Sequence, residues 1–186
     1  EAVVDIHSSY IDAGSEAIET NTFVASCLHL EMAGKDPGDS EKITSLAARH
    51  ARDAADRADL KVYVAGSIGP SPGAIEADAG DTDFGIADVK VVDAHKRIIG
   101  ALAEGGVDFF CIETMFSAKE AALAANIARD TGLPIAINLT YKFTKDRRTG
   151  ETVYKTDWGS TPESIVTELA GGEMSEGDNL LPHVQM

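Results

Sequence analysis

Two glutamates recur in one setting. The chain reads Ile-Glu-Thr at Ile18–Thr20, inside "IETNTF", and again at Ile112–Thr114, inside "IETMF". Each follows a glycine, Gly14 or Gly106, and a short stretch with apolar residues. A carboxylate at the end of an apolar run is costly to bury, so it needs a partner. If each stretch is a strand, Glu19 and Glu113 sit at strand ends near solvent. There an acidic side chain can receive the ammonium group of a substrate. Thr20, Asn21 and Thr22 add neutral hydrogen-bonding groups directly after Glu19. Asn138 and Thr140 lie two apart in "IAINLT", so they share one face of a strand. Ser67 lies in "GSIGP", Gly66–Pro70, whose backbone N–H groups could receive a carboxylate or phosphate. That loop lacks the spacing of a dinucleotide or P-loop motif.

The same residues have plainer uses. Glu113 could pair with a neighbouring loop, and Glu19 could point outward, because adjacent strand residues alternate faces. Asn138 and Thr140 could serve loop backbone groups. The repeated Ile-Glu-Thr could reflect only recurring βα geometry. Cys111 stands two residues before Glu113 and shares its face, where a cysteine reads as packing. Cys27 and Cys111 form no CxxC pair, which makes a reducing cytosol the default compartment. None of the five histidines has a carboxylate four residues away, and His29 in "CLHLEM" reads as packing.

The elements that must position these residues alternate. Apolar spacing predicts helices over Glu1–Ala13, Glu41–Ala58, Asp88–Glu104, Ala118–Asp130 and Thr161–Ala170. Asp39 or Ser40 caps the second of these. Ser117 caps the fourth, with Glu120 completing a capping box, and Thr161 before Pro162 opens the fifth. Between them, β-branched and apolar runs predict strands over Ala17–Glu19, Leu60–Ala65, Val107–Ile112 and Ile135–Thr140. Tyr141–Gly159 is polar and hairpin-like, with "RRTG" at its tip. Strand and helix in alternation give a parallel sheet covered by helices. Two architectures fit, a doubly wound open sheet and a (β/α)8 barrel, and both place ligands at the carboxyl ends of the strands. After Ala170 an apolar strand is due, but "GGEMSEGDN" at Gly171–Asn179 has no β-branched residue. The expectation is a missing strand there, with "LLPHVQM", Leu180–Met186, opening the next helical segment.

The 186 residues suffice for one domain with a sizeable core, and 44% of them are hydrophobic. The net charge of −15, from 31 acidic and 16 basic residues, disfavours nucleic acid and anionic membranes as partners. No apolar run approaches the roughly 20 residues of a membrane helix.

Three stretches together resemble one family. "HSSYIDAGSEAIETNTFVAS" (His7–Ser26), "VAGSIGP" (Val64–Pro70) and "EGGVDFFCIETMFSAKEA" (Glu104–Ala121) look like the homocysteine S-methyltransferase family. The resemblance runs in order over nearly the whole chain. It implies a (β/α)8 barrel of TIM type that binds homocysteine at the strand ends, acting in the cytoplasm in methionine biosynthesis. It implies that Thr20 and Glu113 hold the amino acid part, with Asn21, Ser67, Asn138 and Thr140 as neighbouring contacts. It also implies zinc, held by three cysteines in G-x-N-C and G-G-C-C motifs, and a methyl donor: cobalamin, methylated folate, betaine or a sulfonium. Neither cysteine motif occurs in this sequence, so no residue here is assigned to a metal. The expectation is therefore an incomplete barrel of about four parallel strands, a single domain over 1–186 lacking the first strand and the C-terminal strands. Such a piece would supply the amino-acid-binding part of a site that makes methionine, and its raw edges make self-association possible. The rival expectation is a non-catalytic barrel relative that binds a small ligand or a protein partner, and a third is a corrinoid-dependent methyltransferase for another donor.

Overall fold

A computed structural model describes residues 1–80 and 82–185. Helix α1 (Ala2–Asp12) ends before Gly14, whose φ of +101° only glycine adopts without strain. Strand β1 (Ala17–Glu19) follows, then a short helix α2 (Cys27–Met32) and helix α3 (Ser40–Asp56). Strand β2 (Tyr63–Ile68), a single helical turn α4 (Glu76–Ala79) and helix α5 (Asp88–Glu104) come next. Strand β3 (Phe109–Met115), helix α6 (Ala118–Arg129) and strand β4 (Ile135–Leu139) complete the repeating part. The antiparallel strands β5 (Lys142–Lys145) and β6 (Thr152–Lys155) form the expected hairpin, followed by helix α7 (Pro162–Leu169) and strand β7 (Val184–Gln185).

The main sheet has the order β1-β2-β3-β4-β7, and every pair in it is parallel. Sequential order with every pair parallel is the pattern of a (β/α)8 barrel segment rather than of a doubly wound sheet, whose order reverses at a switch point. Ile18, Val64, Ile68, Phe110, Ile112, Ile135 and Ile137 all lie on one face and are buried. They pack with Ala48, Ala51, Ile98, Ile99 and Leu102 of α3 and α5 and with the alanines of α6 in one core. Helix α6 buries Ala121, Ala122, Ala124, Ala125 and Ala128, so its backbone can lie close to the sheet. Among the described residues the other face carries Glu19, Tyr63, Ser67, Phe109, Cys111, Glu113 and Asn138; none of them joins the helix-packed core, which leaves this face uncovered except where Ile6 and Tyr10 of α1 border its β1 edge.

The carboxyl-terminal part departs from expectation. Between Ala170 and Leu180 the described chain forms no strand. It turns through Glu173–Ser175 and returns, with Leu180 N donating to Leu169 O at 2.6 Å. Leu181–His183 is one 3-10 turn rather than the start of a helix, and Val184–Gln185 adds a fifth parallel strand beside β4. Met186 of that segment lies outside the described residues. Pro182 explains why no helix propagates there, since it lacks an N–H and suits only a first turn. The start of α3 also differs. Neither Asp39 nor Ser40 caps it through a side chain; Ser40 Oγ donates instead to Ala25 O at 2.7 Å and pins the preceding loop. Among the described residues no helix is long and apolar enough to cross a membrane.

At the amino ends of the strands one ion pair ties three elements together. Arg52 on α3 donates to Gly106 O through Nε (3.0 Å) and Nη2 (2.7 Å), and Nη2 also meets Asp108 Oδ2 at 2.6 Å. The same oxygen accepts from Val64 N at 2.7 Å. Burial pushes the Asp108 carboxyl up, but the Arg52 and Val64 donors and the nearby Arg52 and Lys61 charges outweigh it, leaving it below the ordinary range. Asp108→Ala strands the Val64 N–H and should cost about 1–3 kcal/mol in urea unfolding at neutral pH. Because the folded carboxyl titrates low, the advantage of the native residue should be complete above the unfolded value of about 3.9 and fade as pH falls through the lower folded value. A gap that widens with acid would refute the assignment.

Candidate functional site

The carboxyl ends of β1, β2 and β3 converge on Ser67. Thr20 leaves β1 with its hydroxyl turned inward, and Ser67 N donates to Thr20 Oγ1 at 3.0 Å. Thr20 Oγ1 and Thr22 Oγ1 are 2.7 Å apart, and Thr22 Oγ1 donates to Ser67 O at 2.6 Å. The two threonine hydroxyls thus take both backbone groups of Ser67, which replaces the pairing that a longer β1 would supply. All three residues are buried. What remains free to act is the Ser67 hydroxyl, which donates to Glu113 Oε1 at 2.5 Å. Gly66 and Ser67 are therefore strand, not loop, because β2 runs three residues further than the alternation in "LKVYVA" suggests.

Glu113 stands beside an irregularity. Ile112 pairs with Ile137 but Met115 pairs with Leu139, so β3 holds one more residue than β4 across this step. Thr114 carries the excess with φ at +59°, a left-handed conformation that is costly for a β-branched residue. Its N–H leaves the ladder and donates to Asn138 Oδ1 at 2.7 Å. A bulge of this kind re-aims the side chain beside it. Glu113 keeps the uncovered face that alternation from Ile112 gives it, half-buried next to Ser67, and the extra residue returns Met115 to the core. Of the residues expected at the site, the structure brings together Thr20, Ser67 and Glu113. Asn138 sits across from them and spends its oxygen on Thr114. Asn21 is exposed beyond Thr20, and Thr140 is half-buried with its N–H bonded to Met115 O at 2.9 Å. Glu19 lines a separate cleft of about 480 Å³ with Ile6, Tyr10 and Phe109, and neither Ser67 nor Glu113 borders it.

Cys111 lies between the two glutamates. Burial, a hydrogen bond to Glu19 and the charges of Glu19 and Glu113 push its thiol up to about 12. At neutral pH the thiol stays protonated. Cys27 opens α2 and is buried elsewhere. A catalytic metal takes about three protein ligands and an open position. Among the described residues no three His, Cys, Asp or Glu side chains stand together as such a group. The residues present do not fit a metal centre, and nothing in the chemistry below runs through one.

Two buried residues carry a role that sequence reasoning missed. Ser117 does cap α6, accepting from Glu120 N at 3.1 Å, but Glu120 does not complete a capping box. Its carboxylate turns inward, where Oε1 accepts from Ser71 N at 2.7 Å and faces His95 Nε2 at 3.1 Å. The Ser-x-x-Glu signature is identical for both outcomes, and His95 is 25 residues away in the chain, so no local pattern could announce the pair.

A parallel barrel segment with a carboxylate and hydroxyls gathered at its strand ends has the layout of a small-molecule site in a (β/α)8 barrel. Comparison with known proteins narrows this. The profile of the family described as homocysteine S-methyltransferase matches residues 1–172, and the chain belongs to that family. It is 30% identical over 148 residues to methionine synthase of Mycobacterium tuberculosis (strain ATCC 25618 / H37Rv), an alignment covering 75% of this chain and 12% of that protein. The fold matches the homocysteine methyltransferase MmuM from Escherichia coli. The oxidized form superimposes with a TM-score of 0.69 at 19% identity, and the metallated form with 0.67 at 20%. In both, 92% of this chain covers 59% of MmuM. The chain thus spans well under two thirds of the length of these relatives.

The loop after β2 is packed against the loop after β1 so closely that Gly69 admits no side chain. A Cβ there would lie 2.5 Å from Phe23 O and 2.9 Å from its ring. Gly69→Ala should therefore destabilise the chain by about 1–3 kcal/mol and loosen the Thr20–Ser67 contacts. Chemical denaturation checks it; an unchanged midpoint would mean that the two loops do not press on each other.

Proposed function

We propose that the chain carries the amino-acid-binding part of a methyltransferase that moves a methyl group to the thiol of homocysteine, making methionine. The observation that carries this reading is the Ser67–Glu113 pair, set on the uncovered sheet face by Thr20 and Thr22. A carboxylate half-open to solvent and already aligned by a hydroxyl suits an ammonium group, which brings donors and a positive charge. Family membership supplies the substrate class, since homocysteine presents that ammonium group. Asn21 and Thr140 stand at the rim of the same strand ends and are the neutral groups left for the substrate carboxylate.

Within this reading the residues of the chain bind and orient; the proton of the thiol and the methyl donor are handled elsewhere in the barrel. Zinc, where the complete protein holds it, would activate the sulfur as a thiolate. The donor, whether cobalamin, methylated folate, betaine or a sulfonium, meets the thiol from outside these strand ends. A cytoplasmic setting follows from the same reading.

Isothermal titration with homocysteine, with and without added zinc, tests the proposal. The chain should bind homocysteine, and Glu113→Gln should weaken it by on the order of 1.5–3 kcal/mol, roughly 10- to 150-fold. Equal affinity in the variant, or no preference for homocysteine over its N-acetyl derivative, would overturn the assignment of Glu113 to the ammonium group.

A further inference from the structure

Glu120 and His95 form a buried pair on the helical side of the sheet, with 3% and 4% of their surfaces exposed. They do not touch the uncovered face. A buried carboxylate is expensive, and a surface glutamate capping α6 would have avoided the expense. Burial pushes the Glu120 carboxyl up, yet the His95 ring and the Ser71 N–H outweigh that and leave it ionised. The pair therefore holds a full acceptor in the core, aimed at one backbone proton.

That proton belongs to the turn following β2. Ser71 is four residues beyond Ser67, within Gly69–Gly73, where Pro70 and Pro72 leave Ser71 as the one N–H donor between two prolines. With two prolines the turn has few ways to hydrogen-bond itself. It is held from outside on two sides instead. Glu120 takes the Ser71 N–H, and Gly69 lies flat against the Phe23 carbonyl. Thr22, the residue before Phe23, is the one bonded to Ser67 O.

We propose that Glu120, supported by His95, is a positioning residue: by fixing the Ser71 amide it holds the turn after β2, and through it sets Ser67 against Glu113 for the amino-acid ligand. The inference rests on the reading of Ser67 and Glu113 as the ammonium site, and it adds a residue that touches no ligand. Removing the acceptor frees the turn, Ser67 loses its fixed place in the threonine clamp, and Glu113 loses its aligned hydroxyl. Glutamine at 120 keeps a carbonyl oxygen at the position of Oε1, so it retains the two contacts without the charge.

The test uses the whole chain labelled with nitrogen-15, comparing Glu120→Ala and Glu120→Gln with the native protein. Amide exchange is followed at Ser67, Ser71 and the core residue Phe110, and homocysteine is titrated into each. Glu120→Ala should speed exchange at Ser71 and Ser67 by about tenfold or more while Phe110 stays protected, and weaken homocysteine by about tenfold. Glu120→Gln should restore exchange and affinity to within about twofold of native. Should Glu120→Ala fail to fold, Ser71→Pro removes the same proton and leaves the buried pair intact. It should weaken homocysteine and shift the Ser67 amide in the same way. Native-like Ser67 and Ser71 amides in Glu120→Ala, a native-like Ser67 amide in Ser71→Pro, or a Glu120→Gln variant as impaired as Glu120→Ala, would overturn the proposal. Absence of homocysteine binding by the native chain would sink the functional reading alone. The amide exchange would still decide whether Glu120 positions Ser67.

Discussion

Parallel strands joined in sequence must each be followed by a crossover, and crossovers of one hand place every helix on the same side of the sheet. That constraint organises this chain. Helices α1, α3, α5 and α6 bury one face under isoleucine, phenylalanine and alanine, and the opposite face is left to whatever the strands present. A strand alternates its side chains, so each apolar residue committed to the core leaves its neighbour on the uncovered side. Ile18 and Ile112 face the helices, and the glutamates beside them, Glu19 and Glu113, are obliged to face away. The carboxylates are there because the core residues are.

The two ends of the strands do different work. At the amino ends Arg52 and Asp108 bind helix α3 to β2 and β3 through charge-assisted bonds. At the carboxyl ends regular pairing breaks down. Thr20 and Thr22 stand in for missing strand, Thr114 bulges out of the ladder, and the Gly69–Gly73 turn depends on a side chain from another helix. Each irregularity costs stability locally, and each moves a polar group toward Ser67 or Glu113. Strain gathered at one end of a barrel and regular fastening at the other is how this architecture separates function from stability.

Much of the frame was legible in the chain. The β-branched run around Val62–Val64, the apolar "VDFFCI" and the glycines after α1 and α5 mark strands and helix ends through local chemistry alone. The Thr161–Pro162 start of α7 behaves as its residues dictate, down to the reciprocal bond between Thr161 and Ser164. What escaped was decided by tertiary contacts. Val184–Gln185 is two residues beside a proline, too short for periodicity, and becomes a strand only because β4 offers a free edge. Glu120 carries a cap signature that its burial overrides. The bulge at Thr114 has no sequence mark, since neither glycine nor asparagine holds the left-handed position. Ser67 could be suspected from a glycine-rich loop, but its pairing with Glu113 requires the register between β2 and β3.

The central claim is that the Ser67–Glu113 pair, and not the cleft beside Glu19, receives the amino acid. Mapping amide shifts while homocysteine is added separates the two most directly. The account predicts that the changes concentrate at Thr20, Ser67, Glu113 and Thr114 and leave Ile6, Tyr10 and Phe109 unmoved. Changes centred on Ile6, Tyr10 and Phe109, with Ser67 and Glu113 silent, would contradict it.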